Sequence, residues 1–460
     1  MSLQPGQHLT LQIEDLVPGG EGLARHEGLT VFVPDALPGD QLEVRLISIK
    51  KTYARALIHR VLQPGPKRVK PPCALAYRCG GCQWQHFAYA GQLQAKQAAL
   101  LEVMQRIGGW PEALLAASCA PVLGMAEPVA YRNKAQFPVQ IVQGRPTLGF
   151  YAPRSHQLVP VDHCLIQPEA INTVLGSVQQ WLLQHPEISV YEEASHSGLL
   201  RHLLIRHSSG TGQTLVGLVV RQPAAAQLLP LAESLRTRHP EIVGVLQNIQ
   251  PARGNRILGS ESEVLSGSQT YLEQLGPLHF ELALPAFFQV NPQQTVLLYD
   301  QVLAALQPVS GLKVLDAYSG AGSISLWLAR AGAQVLGLEI VPEATLNARA
   351  NARRNGLAPQ CRFETGRVEE LLAGHLGRET FNAVVLDPPR KGCEPAVLTA
   401  LAQSNIPQLV YVSCNPATLA RDSALLRAAG FDLRALQPVD MFPHTHHLET
   451  VAHFVRDSAA

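Results

Sequence analysis

From about residue 290 to the end, the chain alternates apolar runs of strand length with amphipathic runs of helix length. Residues 313–320 (KVLDAYSG) read as strand and loop, and 323–332 (SISLWLARAG) as helix. Residues 334–341 read as strand and 343–356, closed by a glycine, as helix; 381–387 and 407–414 are strands, and 417–430 is a helix. Strands this apolar are buried on both faces. Alternating with helices, they predict a parallel, doubly wound α/β sheet over residues 286–460.

The rest of the chain reads differently. Residues 1–62 hold short alternating stretches separated by the turn signals Gly19-Gly20-Glu21-Gly22 and Pro38-Gly39-Asp40. They predict a small five-stranded barrel of oligonucleotide-binding type. Residues 63–285 mix strand and helix signals, with a helical pattern from about Tyr89 to Ile107, and predict a central α+β domain.

The 37 Lys and Arg nearly balance the 36 Asp and Glu, so net charge does not point to a polyanionic partner. The distribution does. From Val44 to Leu101 there is no Asp or Glu, against ten Lys and Arg: Arg45, Lys50, Lys51, Arg55, Arg60, Lys67, Arg68, Lys70, Arg78 and Lys96. Such a segment suits phosphates. No apolar run approaches the ~20 residues needed to span a bilayer. The first residues lack the basic and apolar regions of a signal peptide. The expectation is a soluble, cytoplasmic protein with no membrane partner and no feature marking an obligate protein partner.

Asp316-Ala-Tyr-Ser-Gly320-Ala-Gly322 follows a strand and opens a helix. A dinucleotide-binding loop would have a third glycine at 325, where this chain has Ser325. The acidic-x-x-x-Gly-x-Gly pattern is instead that of S-adenosylmethionine-dependent methyltransferases. Glu339 ends the next strand, where a carboxylate can accept both ribose hydroxyls. Asp387 ends a later one, before Pro388-Pro389. Ligands of doubly wound sheets sit at these strand ends.

Cys414 lies at the tip of an apolar strand in Ser413-Cys414-Asn415-Pro416. Asn415 and Pro416 suit the start of a helix, whose positive end favours thiolate. A thiolate beside a methyl donor points to methylation of pyrimidine C5: addition to C6 makes C5 nucleophilic, and a base then removes the C5 proton. The base candidate is Glu449, in Pro443-His444-Thr445-His446-His447-Leu448-Glu449. Cys393 is a second thiol near the site and ranks below Cys414.

Cys73, Cys79 and Cys82, with Gly80-Gly81 between the last two, read as metal ligands. Cys164 is the best fourth, or His86 if the metal is zinc. Spacing leaves zinc and iron–sulfur both open. Cys119 and Cys361 read as core residues.

Taken together, Cys-x5-Cys-Gly-Gly-Cys, Phe287-Phe288-Gln289-Val290-Asn291, Asp-x-Tyr-Ser-Gly-x-Gly, Asp-Pro-Pro-Arg-Lys-Gly, Ser-Cys-Asn-Pro and Pro-His-Thr-x-His-Leu-Glu carry a resemblance over nearly the whole chain. The chain resembles the RNA (uracil-5-)-methyltransferases, in particular the 23S ribosomal RNA enzymes with an N-terminal TRAM domain and a [4Fe-4S] cluster. The resemblance implies cluster ligands Cys73, Cys79, Cys82 and Cys164. It implies that Gln289, Tyr318, Glu339 and Asp387 hold S-adenosylmethionine, that Cys414 is the nucleophile, and that Glu449 accepts the proton. Many relatives have Phe where this chain has Tyr318. The resemblance also implies that the helix near 89–107 packs on the catalytic domain, making the central domain discontinuous, and that the RNA partner is 23S rRNA. Methylation of a tRNA T-loop uridine is the nearest alternative. An RNA-binding assembly factor with a relict methyltransferase fold is a further one.

Overall fold

In the computed structural model, which describes residues 3–456, three large sheets follow one another along the chain. The first is built from His8–Gln12, Asp15–Leu16, Gly22–His26, Leu29–Val33, Gln41–Ile49 and Tyr53–Gln63. Alternate residues point inward, so Leu9, Leu11, Val31, Val33, Leu42, Val44 and Leu46 fill the interior. Six strands replace the expected five because the first one breaks. At the break the Ile13 N–H turns to the Asp40 carbonyl and the Glu14 N–H to that of Leu23. The short strand beyond the break pairs with Gly22–His26, and the sheet closes into a barrel.

The second sheet has seven strands within residues 134–267, antiparallel except for Thr214–Val220 beside Ile242–Ile249. Helices Glu169–Gln184 and Ala225–Arg238 cover one face. From the other face Leu204, Leu215 and Leu246 join the core around the hairpin Thr270–Leu275/Leu278–Ala283, which is continuous with the core of the third sheet.

The third sheet carries the alternating pattern. Its strands, counted along the chain, stand in the order 3-2-1-4-5-7-6. All are parallel except the seventh, Glu449–Val455, which is antiparallel to both its neighbours. In Ala383–Leu386 the residues Ala383 and Val385 face one apolar cluster, while Val384 and Leu386 face the other. The central strands thus feed two helical layers, which is why they read as continuous apolar runs. The order reverses between Lys313–Ala317 and Ala383–Leu386, and the crevice at their carboxyl ends is where such sheets bind ligands.

The helix Tyr89–Arg106 lies against the catalytic sheet's helix Pro416–Ala428. Leu100, Val103 and Met104 share a cluster with Leu419 and Ala420, and Trp110 just beyond donates from Nε1 to Ser423 Oγ at 2.9 Å. Its polar stripe, Tyr89, Gln92 and Lys96, turns to the segment before Glu449. Lys96 Nζ meets Asp440 Oδ1 at 2.5 Å with both side chains fully buried, and Tyr89 donates to the other oxygen at 2.8 Å.

The basic segment is therefore less free than its composition suggests. Besides Lys96, Arg68 is held by the buried Asp40, Arg55 by Glu21 and Arg60 by Glu43. Arg45, Lys50, Lys51, Lys67, Lys70 and Arg78 stay exposed to meet phosphates.

Removing one partner of a buried ion pair strands the other charge, at a cost of about 3–5 kcal/mol. Lys96→Ala is accordingly expected to lower unfolding stability by that amount in denaturant titrations. A change below 1 kcal/mol would show that Asp440 finds water or a proton at little cost.

Candidate active site

Each predicted cofactor residue sits at the carboxyl end of the sheet or beside it. Asp316 is fully buried at the end of Lys313–Ala317; its Oδ2 accepts from Ser325 Oγ, and its Oδ1 has no partner. Ser325 thus replaces the missing third glycine with a hydrogen bond that fixes the loop's first carboxyl. Burial pushes that carboxyl up to about 7. Tyr318 takes φ +70° and Gly322 φ +83°, where a Cβ would press on Phe363 and Ala348 at 3.0–3.1 Å. A turn this tight favours glycine.

Glu339 ends the second strand of this sheet. Its Oε2 accepts the Gly320 N–H at 2.9 Å and its Oε1 the Val341 N–H at 2.8 Å, so two backbone donors hold the carboxylate in place with acceptor capacity to spare. Asp387, at the end of Ala383–Leu386, accepts no hydrogen bond from the described residues, and burial raises it to about 7. Gln289 is buried just ahead of the helix Pro292–Ala305, and its backbone carbonyl accepts from Asn133 Nδ2 at 3.3 Å. The same amide bonds Glu273, a carboxyl that burial raises to about 7. This Glu273–Asn133 support escaped the sequence reading, because nothing local marks either residue.

Cys414 follows the strand Gln408–Ser413, whose register with the last strand pairs Ser413 with Thr450. One step further along that register puts Cys414 opposite Glu449. The expected helix start is in place: Asn415 Oδ1 caps Ala417 at 3.1 Å and Pro416 opens the helix. The expected thiolate is not. Burial, then the nearby Glu449 and Asp387 carboxyls, push the thiol up to about 11, and the Arg390 guanidinium recovers only part of this. One helix end is outweighed by desolvation and two acids. Glu449 is itself buried and raised well above the usual carboxylate range, by burial first and by Asp387 second. Cys393 is buried beneath Tyr411 and Asp422, a structural thiol.

The segment 440–448, without regular structure, is held from many sides. The His444 carbonyl accepts from both Gln83 and Trp84 N–H at 2.9 Å. The His444 N–H donates to Gln92 Oε1 at 2.9 Å, and Tyr131 donates to the Pro443 carbonyl at 3.1 Å. Asn291 caps its own helix and also donates to the Met441 carbonyl, which ties the Gln289 segment to the same loop. The histidines there are hydrogen-bonding and packing residues; His444 meets Gln92 and His447 meets Arg390.

Cys73, Cys79, Cys82 and Cys164 line one cavity of about 290 Å³, with Leu75, Ala135, Phe150, Val161 and Ile166 among its apolar walls. His86 is not part of that lining; it packs against Tyr77. The Leu75 N–H points at Cys73 Sγ and the Gly81 N–H at Cys79 Sγ, both at 3.4 Å. Gly80 lies so close to the Tyr151 carbonyl that a Cβ would meet it at 2.9 Å. Burial raises the Cys82 thiol to about 12 and that of Cys164 to about 11. Among the described residues no three of these sulfurs all lie within 4.8 Å of one another.

The fold and this crevice define an S-adenosylmethionine-dependent methyltransferase, and comparison with known proteins narrows the class. Residues 89–456 match the tRNA (Uracil-5-)-methyltransferase family, and residues 3–58 match the TRAM domain. An uncharacterized RNA methyltransferase of Halalkalibacterium halodurans is 40% identical over 96% of this chain and 95% of its own. One from Gloeobacter violaceus is 40% identical over 98% and 97%. Among solved structures, the Pyrococcus abyssi tRNA (uracil-54, C5)-methyltransferase in complex with S-adenosyl-L-homocysteine is similar at a TM-score of 0.78. It shares 25% identity and covers 97% of this chain and 100% of its own. The chain belongs to the RNA (uracil-5-)-methyltransferase family, carries an N-terminal TRAM domain, and is an enzyme that uses S-adenosylmethionine. No helix among the described residues is long and apolar enough to cross a membrane.

Because thiolate is the alkylating form, labelling of Cys414 by iodoacetamide is expected to climb about tenfold per pH unit from about pH 8 to 10. Mass spectrometry of its peptide reads the rate. A rate already level at about pH 8 would mean a thiolate at rest.

Proposed function

We propose that the enzyme methylates C5 of a uridine in 23S rRNA, with Cys414 as nucleophile and Glu449 as proton acceptor. The observation that carries this reading is the strand register, which sets a thiol and a carboxyl face to face at the mouth of the ligand crevice. Cys414 Sγ, after losing its proton to solvent, adds to C6 of the ring as thiolate; the C5–C6 π electrons pass to the ring as an enolate, whose C5 then takes the methyl group. Glu449 takes the proton from C5 once that carbon bears its methyl group, and the sulfur then leaves with its bonding electrons. S-adenosylmethionine, when bound, supplies the methyl group from a positively charged sulfonium. Gln289, Tyr318, Glu339 and Asp387 are the residues that hold it, around the loop fixed by Asp316 and Ser325. Burial favours the protonated form of Glu449 in the free site, and the residue accepts the C5 proton only in its ionised form. Arg390, which lowers Glu449, works in that direction.

The target base reaches Cys414 only out of its stack, where the ring faces are open. The barrel and the exposed basic residues beside it supply phosphate contacts.

Cys73, Cys79, Cys82 and Cys164 hold a [4Fe-4S] cluster in this reading. A zinc ion, with Zn–S bonds of about 2.3 Å, would draw its sulfurs to roughly 3.8 Å apart. The cavity's volume of about 290 Å³ suits a group larger than a single ion, and the N–H donors to Cys73 and Cys79 suit cluster sulfurs. The ligands come from two separate stretches of chain, 73–82 and 164, so the group would tie them together in a structural role.

A second reading, uridine methylation in tRNA, is favoured by the likeness to the Pyrococcus abyssi enzyme. That likeness spans 97% of this chain, so an N-terminal barrel is no mark of ribosomal RNA alone. Transfer of labelled methyl groups to unmodified 23S rRNA and to unmodified tRNA, followed by nucleoside analysis, separates the two. 5-Methyluridine in the ribosomal RNA supports the first reading; the same product in tRNA alone replaces it with the second.

Cys414→Ala is expected to keep S-adenosylmethionine binding and lose methyl transfer; retained transfer would remove Cys414 as nucleophile. Glu449→Gln is expected to trap a covalent RNA–protein adduct, seen as a slow band in denaturing gels. Absence of that band with full adduct turnover would assign the base elsewhere.

A further inference from the structure

The outer face of the barrel carries a group of side chains that the methylation chemistry does not use. His8, Glu43 and His59 come from three adjacent strands, His8–Gln12, Gln41–Ile49 and Tyr53–Gln63, and their ligand atoms all lie within 4.8 Å of one another. His8 Nδ1 is 3.2 Å from Glu43 Oε1, and the His8 and His59 rings meet edge to face with centroids 4.6 Å apart.

A break in the strand pairing brings this about. Arg60 pairs with Glu43 and Ile58 with Val44, so His59 is an extra residue without a partner. Strict alternation would send either His59 or Arg60 into the barrel. The bulge keeps both on the outer face beside Glu43. Arg60 then takes the second carboxylate oxygen, Oε2, at 3.3 Å, which leaves Oε1 turned towards the two imidazoles.

We propose that His8, Glu43 and His59 form a binding site for a divalent transition-metal ion, with Zn²⁺ the best match. Two imidazoles and one carboxylate are a common zinc donor set, with water completing the tetrahedron. Zinc bonds of about 2.0–2.1 Å put neighbouring donor atoms roughly 3.3–3.4 Å apart. The His8–Glu43 pair already stands at 3.2 Å. His59 is exposed, so its ring can turn to close the third bond. An ordinary surface ion pair would need only one base for Glu43, and Arg60 already supplies it. Two imidazoles brought within 4.8 Å of that carboxylate and of each other are what a shared cation requires. Mg²⁺ and Ca²⁺, which take oxygen donors, do not fit this set. The ion would staple the first strand of the chain to the two longest strands of the barrel.

The test uses the full chain with its cysteine cavity filled, and Co²⁺ and Zn²⁺ as probes. Wild type is expected to bind one Co²⁺ per chain with a visible spectrum of nitrogen and oxygen ligation and no thiolate charge-transfer band. Zn²⁺ is expected to displace it with a dissociation constant in the micromolar range. His59→Ala and Glu43→Gln, both at the surface, are each expected to weaken Zn²⁺ at least tenfold and to leave Cys414 chemistry unchanged. Binding only at millimolar metal would overturn the site. So would uptake that neither substitution alters, or a cobalt spectrum dominated by thiolate. The readout needs no RNA, so it stands or falls apart from the substrate.

Discussion

The buried pair of Lys96 and Asp440 is the interaction on which the catalytic end of this protein depends. Two charges away from water are tolerated only when each is surrounded by partners. Lys96 has Asp440 and the Phe442 carbonyl; Asp440 has Lys96 and the Tyr89 hydroxyl. All these partners lie on the helix Tyr89–Arg106 or in the loop before Glu449. The pair therefore fixes one against the other, although some 340 residues separate them. The loop has no hydrogen-bond ladder of its own. Its position comes from backbone and side-chain groups outside it, and the charged pair is the contact that tolerates least displacement.

That rigidity matters because the site it frames is electrostatically uncomfortable. Asp316, Asp387, Glu449 and Cys414 share a poorly hydrated crevice, and every one of them is pushed towards its protonated form. Arg390 is the cation that acts on both Cys414 and Glu449. A crevice whose buried acids outnumber its one nearby guanidinium is suited to a cationic ligand, whose charge favours their ionised forms. The sulfonium of the methyl donor has that sign. The same arrangement pushes the Cys414 thiol up, against the pull of the helix end that the sequence argument relied on.

What could be read from the sequence follows from how local each signal is. The third sheet was legible because its central strands are buried on both faces, and Ala383–Leu386 shows the consequence in four residues. The cofactor loop was legible because Gly322 and the acidic strand ends sit within one stretch of chain. The central sheet was not, since strands such as Leu200–His207 pair with partners that no short-range pattern names. Lys96 was misread as one more basic residue for phosphate. It lies four residues after Gln92 and seven after Tyr89, which marks a polar stripe on one helix face, a signal present in the sequence. Its partner, Asp440, could be found only in three dimensions. Asn133 and Glu273 leave no such trace.

The cysteine cavity and the catalytic loop are closer than their separation along the chain implies. Cys82 is followed directly by Gln83 and Trp84, whose two N–H groups both end on the His444 carbonyl. Gln92 closes the same residue from the other side, which holds His444 in the left-handed region at φ +65°. A non-glycine residue there persists only where its surroundings over-determine it. Five residues later comes Glu449, whose side chain must face Cys414. The fold of the cysteine loop is thus part of the scaffold that holds the segment before Glu449. A group that ordered Cys73, Cys79, Cys82 and Cys164 would steady that segment through two backbone hydrogen bonds.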